Sequence, residues 1–282
     1  MPWAPAPTWQ PLTSGTGQSN GGVWLTPDHW VVKRLVAAVD HPRHHAYWRR
    51  QPLVAESALV AATPGLRSPA CLKVQWDDTG ATMWTAQVSP TPLDALALAE
   101  ALGRFARAQV PEPSWGARDI LRDRLTTVSD RGGWTTLDSK LPTDLQRAVQ
   151  DFWVRRDAAL AELDALPRVP THGDAHPGNL LGHDGDNVIA VDWEQFGLGP
   201  AGFDLGYLLL AVDLPLDELL PVFEDRDAVR RGAVLTAAFT AVSRAAWSLS
   251  RTDPGDHVDR LVHLSDLVAE ACDSPGAAGP VR

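Results

Sequence analysis

Three oxygen-bearing side chains fall at close spacing in Thr171-His172-Gly173-Asp174-Ala175-His176-Pro177-Gly178-Asn179-Leu180-Leu181 and in the Val191-Asp192-Trp193-Glu194 that follows an apolar hairpin. Asn179 stands five positions after Asp174, and Asp192 thirteen after Asn179. Pro177-Gly178 forbids a continuous helix between the first two, so the stretch reads as a tight loop. A loop gathering two carboxylates and an amide can hold divalent magnesium on hard oxygens and leave one carboxylate to orient a hydroxyl. Two other chemistries compete. His172, Asp174 and His176 would align as a zinc set in an extended segment, but Gly173 and Pro177-Gly178 argue against a straight strand. Asp174 as a turn cap would be ordinary beside Gly and Pro, yet that reading leaves Asn179 and Asp192 without a purpose.

Elements elsewhere must position these groups. Leu12 to Trp24 contains Gly15, Gly17, Ser19, Asn20, Gly21 and Gly22 between apolar flanks, a flexible turn joining two strands. Its backbone N–H groups can approach phosphate oxygens closely because no Cβ intervenes. No helix opens after it and no Gly-Lys-Ser/Thr ends it, so it is neither a dinucleotide fingerprint nor a Walker A loop. The next strand, His29 to Leu35, embeds Lys33 among β-branched residues, the expected place for a phosphate-clamping lysine. Arg34 must face the other way. A helix is expected from His41 through Tyr47, Trp48 and Leu53 to about Ala62, with Pro52 kinking it or starting a new turn. Leu72–Trp76 and Thr82–Val88 form a further strand pair around Asp77-Asp78-Thr79-Gly80.

Ser89-Pro90-Thr91-Pro92 breaks the composition. It separates an N-lobe over 1–88 from a helical C-lobe over 93–272, with a Pro/Gly-rich tail over 273–282. In the C-lobe Leu98, Ala101, Leu102 and Phe105 form one apolar stripe. A helix follows from Ala117 to about Val128, and a long one from Thr143 carries Leu145, Val149, Phe152, Leu160 and Leu163. Leu180-Leu181 and Val188–Val191 make a hairpin around His183–Asn187, which returns Asp192 beside Asn179. Further helices start near Phe203, Asp217, Asp227 and Asp256.

These motifs together resemble the aminoglycoside phosphotransferase and choline-kinase-like family, distant relatives of protein kinases. The shared pattern is His-Gly-Asp, Asn five after the Asp, and a second Asp after a hairpin. The resemblance implies an α+β, bilobal protein-kinase-like fold with a small antiparallel-sheet N-lobe and a larger, mainly helical C-lobe. It implies that Asp174 is the catalytic base, that His172 is a structural residue of its loop, and that Asn179 and Asp192 bind Mg2+. Lys33 would contact the α and β phosphates of ATP, with GTP not excluded. A helix Glu should pair with that lysine; Gln51 and Glu56 are the two plausible positions, and Gln51 carries no charge, so Glu56 is the choice. Gln87 and Val88 would meet the adenine through backbone groups. Asp204 resembles the family's buried Asp that steadies the catalytic loop from behind, with an ordinary N-cap as the close second reading.

The implied activity is ATP- and Mg-dependent transfer of a phosphoryl group to a hydroxyl, as in kinases that confer antibiotic resistance. The chain's formal charge is −10, and residues 201–230 alone hold seven acids against two bases. This balance argues against a nucleic-acid partner and for a cationic small molecule, an aminoglycoside-like antibiotic or an amino alcohol. His176, Glu194, Asp213 and Asp217 are the substrate candidates. A peptide Ser/Thr acceptor in natural-product maturation is the first alternative, and a silent nucleotide-binding module the second. Two cysteines suggest no disulfide framework, no apolar run is long enough for a membrane, and no secretory signal is visible at the N-terminus, so the expectation is a cytoplasmic protein without a membrane partner.

Overall fold

The computed structural model describes residues 3–12, 19–137, 140–249, 251 and 255–273. They form two compact units, one drawn from 1–119 and 169–199, the other from 120–168 and 200–282.

The first unit opens with β1 (Gln10–Leu12), β2 (Asn20–Leu25) and β3 (Trp30–Val36). The turn between β2 and β3 closes on Thr26, whose hydroxyl accepts the Trp30 N–H at 3.0 Å, with His29 at φ 61°. Then come α1 (Arg50–Ser57), β4 (Leu66–Arg67), β5 (Cys71–Asp77) and β6 (Gly80–Ala86). Five strands make one antiparallel sheet in the order β1-β2-β3-β6-β5. Alternation along β3 sorts its side chains. Val31, Lys33 and Leu35 line a cavity, while Arg34 is buried on the other face. There the Arg34 guanidinium donates to both oxygens of Asp77, at 2.7 and 2.8 Å, and to the hydroxyls of Thr79 and Thr82. Leu35, Trp48, Ala81 and Met83 form the buried cluster under α1, with Val74 and Trp76 packed against it.

α1 is shorter than the helix expected from His41 to about Ala62. Residues 41–49 are turns, and α1 ends at Ala58 with φ 52°. The reason is Pro52. It has no N–H to give to the carbonyl four residues back, so the chain can place it only in a first turn.

α2 (Ala95–Ala106) starts on the Asp94 carboxylate, which accepts the Ala97 N–H at 2.7 Å, and buries the stripe Leu98, Ala101, Leu102 and Phe105. The unit is completed by β7 (Arg168–Thr171), β8 (Leu180–Asp184), β9 (Asn187–Ala190) and β10 (Gly197–Pro200). β7 pairs with β10. β9 pairs antiparallel with β8 and parallel with β4, so the hairpin after Asn179 is tied to the segment after α1.

The second unit is helical: α3 (Ile120–Ser129), α4 (Thr143–Ala165), α5 (Phe203–Leu208), α6 (Leu216–Leu219), α7 (Arg226–Ser248), α8 (His257–His263) and α9 (Ser265–Cys272). Its centre is aromatic: Trp134 lies 5.4 Å from Phe152 and 5.7 Å from Phe239. The helix expected at Asp227 starts one residue earlier, capped by Asp225, which accepts the Ala228 N–H at 3.2 Å. Asp204 is buried in α5. Among the described residues no helix is long and apolar enough to cross a membrane.

Candidate active site

β7 delivers the chain into the Asp174 loop, and each turn of that loop has a local cause. Gly173 sits at φ +85°, where a Cβ would come within 2.5 Å of the Gln195 carbonyl oxygen, so only glycine fits without a shift. His172 is fully buried. Its Nε2 donates to the Val191 carbonyl at 2.8 Å, and its Nδ1 accepts the Asp174 N–H at 3.3 Å. One imidazole thus holds the residue before Asp192 and the backbone of Asp174 together. With both nitrogens engaged, His172 has no lone pair left for zinc, which removes the His172–Asp174–His176 metal set. His176 Nε2 is 3.7 Å from Asp174 Oδ2, and its Nδ1 accepts the Gly178 N–H.

Asn179 closes the arrangement. Its carbonyl accepts the Val191 N–H at 2.8 Å. Its Nδ2 donates to the Asp174 carbonyl at 3.0 Å and to Asp174 Oδ2 at 3.3 Å. The amide nitrogen is therefore committed, and Oδ1 is the atom it can offer a cation. Asp192 has φ 61°, a left-handed conformation uncommon for a side-chain-bearing residue. Trp193 anchors it, its indole N–H donating to the Ala190 carbonyl at 2.8 Å and its rings lying 4.7 Å from His172 and 5.7 Å from Phe105.

Lys33 reaches across from β3, its ammonium 2.8 Å from Asp192 Oδ1. Burial opposes the charged form of Asp192, but the Lys33 charge and hydrogen bond outweigh it, with His172 and His176 adding, so this carboxyl lies below its ordinary range. Glu194 goes the other way. Burial first, and the Asp192 charge second, push its carboxyl up to about 7. The groups share a cavity of about 500 Å3 with apolar walls that include Val23, Met83 and Leu181.

Other expected site residues fall as follows. Ser19, Asn20, Gln87 and Val88 line the cavity. Asn20 Oδ1 accepts the Gly22 N–H at 2.9 Å, and the Gln87 N–H is given to the His29 carbonyl at 3.2 Å. Gly21 lies against Arg34, whose Cγ a Cβ there would approach to 2.7 Å. Gly15 and Gly17 lie outside the described residues. Glu56 is not brought to Lys33; its carboxylate accepts the Trp76 indole N–H at 2.8 Å on an exposed side of α1. The α1 residue that lines the cavity is Gln51. Asp213 and Asp217 are ion-paired within the helical unit, with Arg260 at 2.8 Å and with Arg230 respectively.

Two residues carry more of the site than their types announced. Arg50, fully buried, sends one Nη1 bond of 2.6 Å to the Glu194 carbonyl and so fixes the turn after Asp192 from α1. Trp193 was legible only as a neighbour of Asp192. Neither has a spacing rule that would have singled it out.

A family model described as the phosphotransferase enzyme family matches residues 8–238. Among solved structures, a choline/ethanolamine kinase family protein from Mesorhizobium loti superposes with a TM-score of 0.64 at 19% identity, over 96% of this chain and 90% of that one. The GDP complex of aminoglycoside 2'-phosphotransferase-IIIa superposes at 0.59, with 16% identity over 94% and 92% of the two chains. Amicoumacin kinase hAmiN, in complex with AMP-PNP, Ca2+ and Ami, gives 0.56 at 12% identity over 94% and 89%. No curated protein sequence matches. The fold is α+β and protein-kinase-like, an antiparallel sheet in the N-terminal region followed by a mainly helical part.

Proposed function

We propose, from the premise that this chain belongs to the phosphotransferase enzyme family, that it transfers the γ-phosphoryl group of ATP, with Mg2+, to a hydroxyl of a small molecule. One observation carries the reading: Lys33 meets Asp192 at 2.8 Å while Asn179 meets Asp174 at 3.3 Å, so a cation, an amide and two acids stand together beside one cavity.

The donor set fits magnesium. Asn179 Oδ1 and the Asp192 carboxylate are hard oxygens, and there is no thiolate or free imidazole among them to favour a softer ion. The cavity has the size of a nucleotide site. The Gln87 carbonyl and the Val88 N–H would take the nucleobase edge, and Ser19 and Asn20 the phosphates. Bound there, MgATP would supply the phosphoryl group and neutralise the charge that shifts during transfer. The chain's own groups do the rest. Lys33 turns its ammonium from Asp192 toward phosphate oxygen. Asp174, held by the Asn179 amide and by His172 through its backbone, accepts a hydrogen bond from the attacking hydroxyl and orients it; because such transition states are loose, orientation counts for more than proton removal.

The acceptor is a small, cationic molecule on this reading, by the charge of −10 and by the acids Asp192 and Glu194 that line the cavity. The structural neighbours, by their names a choline/ethanolamine kinase family protein, an aminoglycoside phosphotransferase and an amicoumacin kinase, support the class. The test is incubation with γ-labelled ATP and a panel of aminoglycosides, amino alcohols, sugars and Ser/Thr peptides. Label in a cationic small molecule is expected. Label confined to peptides would overturn the acceptor class, and no magnesium-dependent transfer to any pool, together with no nucleotide binding, would overturn the activity.

A further inference from the structure

The helical unit has a cavity of its own, about 520 Å3, within the range of small-molecule sites. Val128 and Arg131 come to it from the end of α3, Thr136 and Lys140 from the segment that follows, and Trp247 and Leu249 from the end of α7. The frame is fixed, because the Trp134 indole N–H donates to Ser243 Oγ on α7 at 3.1 Å while its ring stacks on Phe152. The Thr136 hydroxyl is spent on the Gly133 carbonyl at 3.1 Å. That leaves a guanidinium and an ammonium as the polar groups, with no acid among the described lining residues. Among the described residues, neither the Arg131 nor the Lys140 side chain has a hydrogen bond or an ion pair.

Charge balance does not account for this pair. The chain has 35 acids against 25 bases, and Arg122, Arg155, Arg230, Arg231 and Arg260 of the same unit each meet a carboxylate. Helix capping does not account for it either. Val128 O already takes the Arg131 and Gly133 N–H groups, Ser129 O that of Gly132, and Ser248 O that of Arg251. A third cation, Arg251, stands 4.5 Å from the Trp247 ring centre and adds to the positive field. A basic face that is merely solvated has no need of an apolar hollow made by Val128, Ala246, Trp247 and Leu249.

We propose that this cavity binds an amphipathic anion, a small molecule with a flat apolar ring system and one carboxylate or phosphate. The ring lies against the Val128, Trp247 and Leu249 side chains, and the anionic group takes the Arg131 and Lys140 donors. The ligand has the sign opposite to the acceptor proposed for the Lys33–Asp192 cavity. The proposal does not rest on the phosphotransferase reading, since transfer to a cationic acceptor can succeed or fail without changing it.

Four probes that share one ring system test it by calorimetric titration of the full chain: naphthoate, naphthyl phosphate, neutral naphthol and cationic naphthylmethylamine. Both anions should bind wild type at one site, naphthol about tenfold more weakly, and the amine not at all. The tighter of the two anions identifies the ligand as carboxylate or phosphate. Exposed ion pairs are individually weak, so Arg131→Gln with Lys140→Gln should weaken the anions by about tenfold and leave naphthol unchanged. Both side chains are exposed, and an unchanged melting point of the double variant checks that its fold is intact. If the double variant does not fold, Lys140→Gln alone decides, with an expected loss of about threefold. Equal affinity for anion and naphthol overturns the proposal, as does anion binding that the variants leave unchanged. Displacement of the anion by Mg–AMP-PNP also overturns it, by placing the anion in the Lys33–Asp192 cavity instead.

Discussion

Replacing Arg50 tests how the turn that carries Asp192 is held. A guanidinium has five N–H donors, and here five bonds go to carbonyls: Trp115 at 2.9 Å, His45 at 3.0 Å, Glu194 at 2.6 Å, and Pro42 and His44 at 2.8 Å each. The residue is fully buried. Two effects oppose each other in Arg50→Met. Removing the charge relieves a desolvation penalty of several kcal/mol. Against that, charge-assisted bonds contribute about 1.5–3 kcal/mol each, and five carbonyls are left facing a thioether. The bonds win, for a net loss of about 4 kcal/mol, in the range found when buried charge networks are broken. That is a large share of the whole stability of a typical domain. At about 2–4 °C per kcal/mol for chains near this size, the melting point should fall by about 10 °C. Arg50→Lys keeps at most three donors and should fall roughly halfway. Because the Glu194 carbonyl is one of the five acceptors, both variants should also bind Mn2+ more weakly, measured at a temperature where they remain folded. Urea denaturation, thermal melting and Mn2+ titration of the pair make the assay. Arg50→Met within about 1 kcal/mol of wild type would refute the reasoning, and so would Arg50→Lys as damaged as Arg50→Met.

Three further outcomes are expected. Asp174→Asn should lower kcat by about a thousandfold while nucleotide affinity stays within about twofold, read by steady-state kinetics and calorimetry, since on the proposed reading the residue would orient the acceptor hydroxyl and not the nucleotide. Gly173→Ala should destabilise by about 3 kcal/mol in urea denaturation and lose activity, because a left-handed φ and a clash with the Gln195 carbonyl combine. Asp77 is held well below the carboxylate range, first by its hydrogen bond from Arg34 and then by Thr79. The folded protein therefore keeps it ionised where the unfolded chain, titrating near 3.8, takes up a proton. Its contribution is full above about pH 5 and is lost as the pH falls below about 4. Asp77→Asn should cost about 2 kcal/mol at neutral pH, discounted because the carboxylate is a third exposed, and the gap to wild type should close in acid.

What the sequence made legible follows how local each decision is. The β5–β6 and β8–β9 hairpins are set by turn residues within a few positions, Asp78-Thr79 and Gly185-Asp186, and they stand where those residues put them. The inward face of β3 follows from a period of two, so Lys33 in the cavity and Arg34 behind it could be read from one heptapeptide. The span of α1 was harder. Aromatic and apolar residues over 41–62 suggested a long helix, but a single missing N–H at Pro52 outweighed that pattern, and the preceding turns were then organised by Arg50 binding their carbonyls.

The partner of Lys33 was not legible at all, and the reason is geometric. A lysine and a helix carboxylate 23 positions apart look like a pair when only charge is counted, and Glu56 is the one acid on α1. Which face of an eight-residue helix meets the sheet is decided by residues outside it: Arg50 reaches Glu194, 144 positions away, and Trp48 and Trp76 fill the cluster beneath. Those contacts turn Gln51, Val54 and Ala55 to the cavity and Glu56 to Trp76. With no carboxylate from α1 facing it, Lys33 takes the nearest acid, Asp192, the same group that a metal ion would need. On the proposed reading a cation and a nucleotide would each draw one member of this pair, 159 residues apart in sequence, away from the other, so binding either first should lower the cost of binding the second.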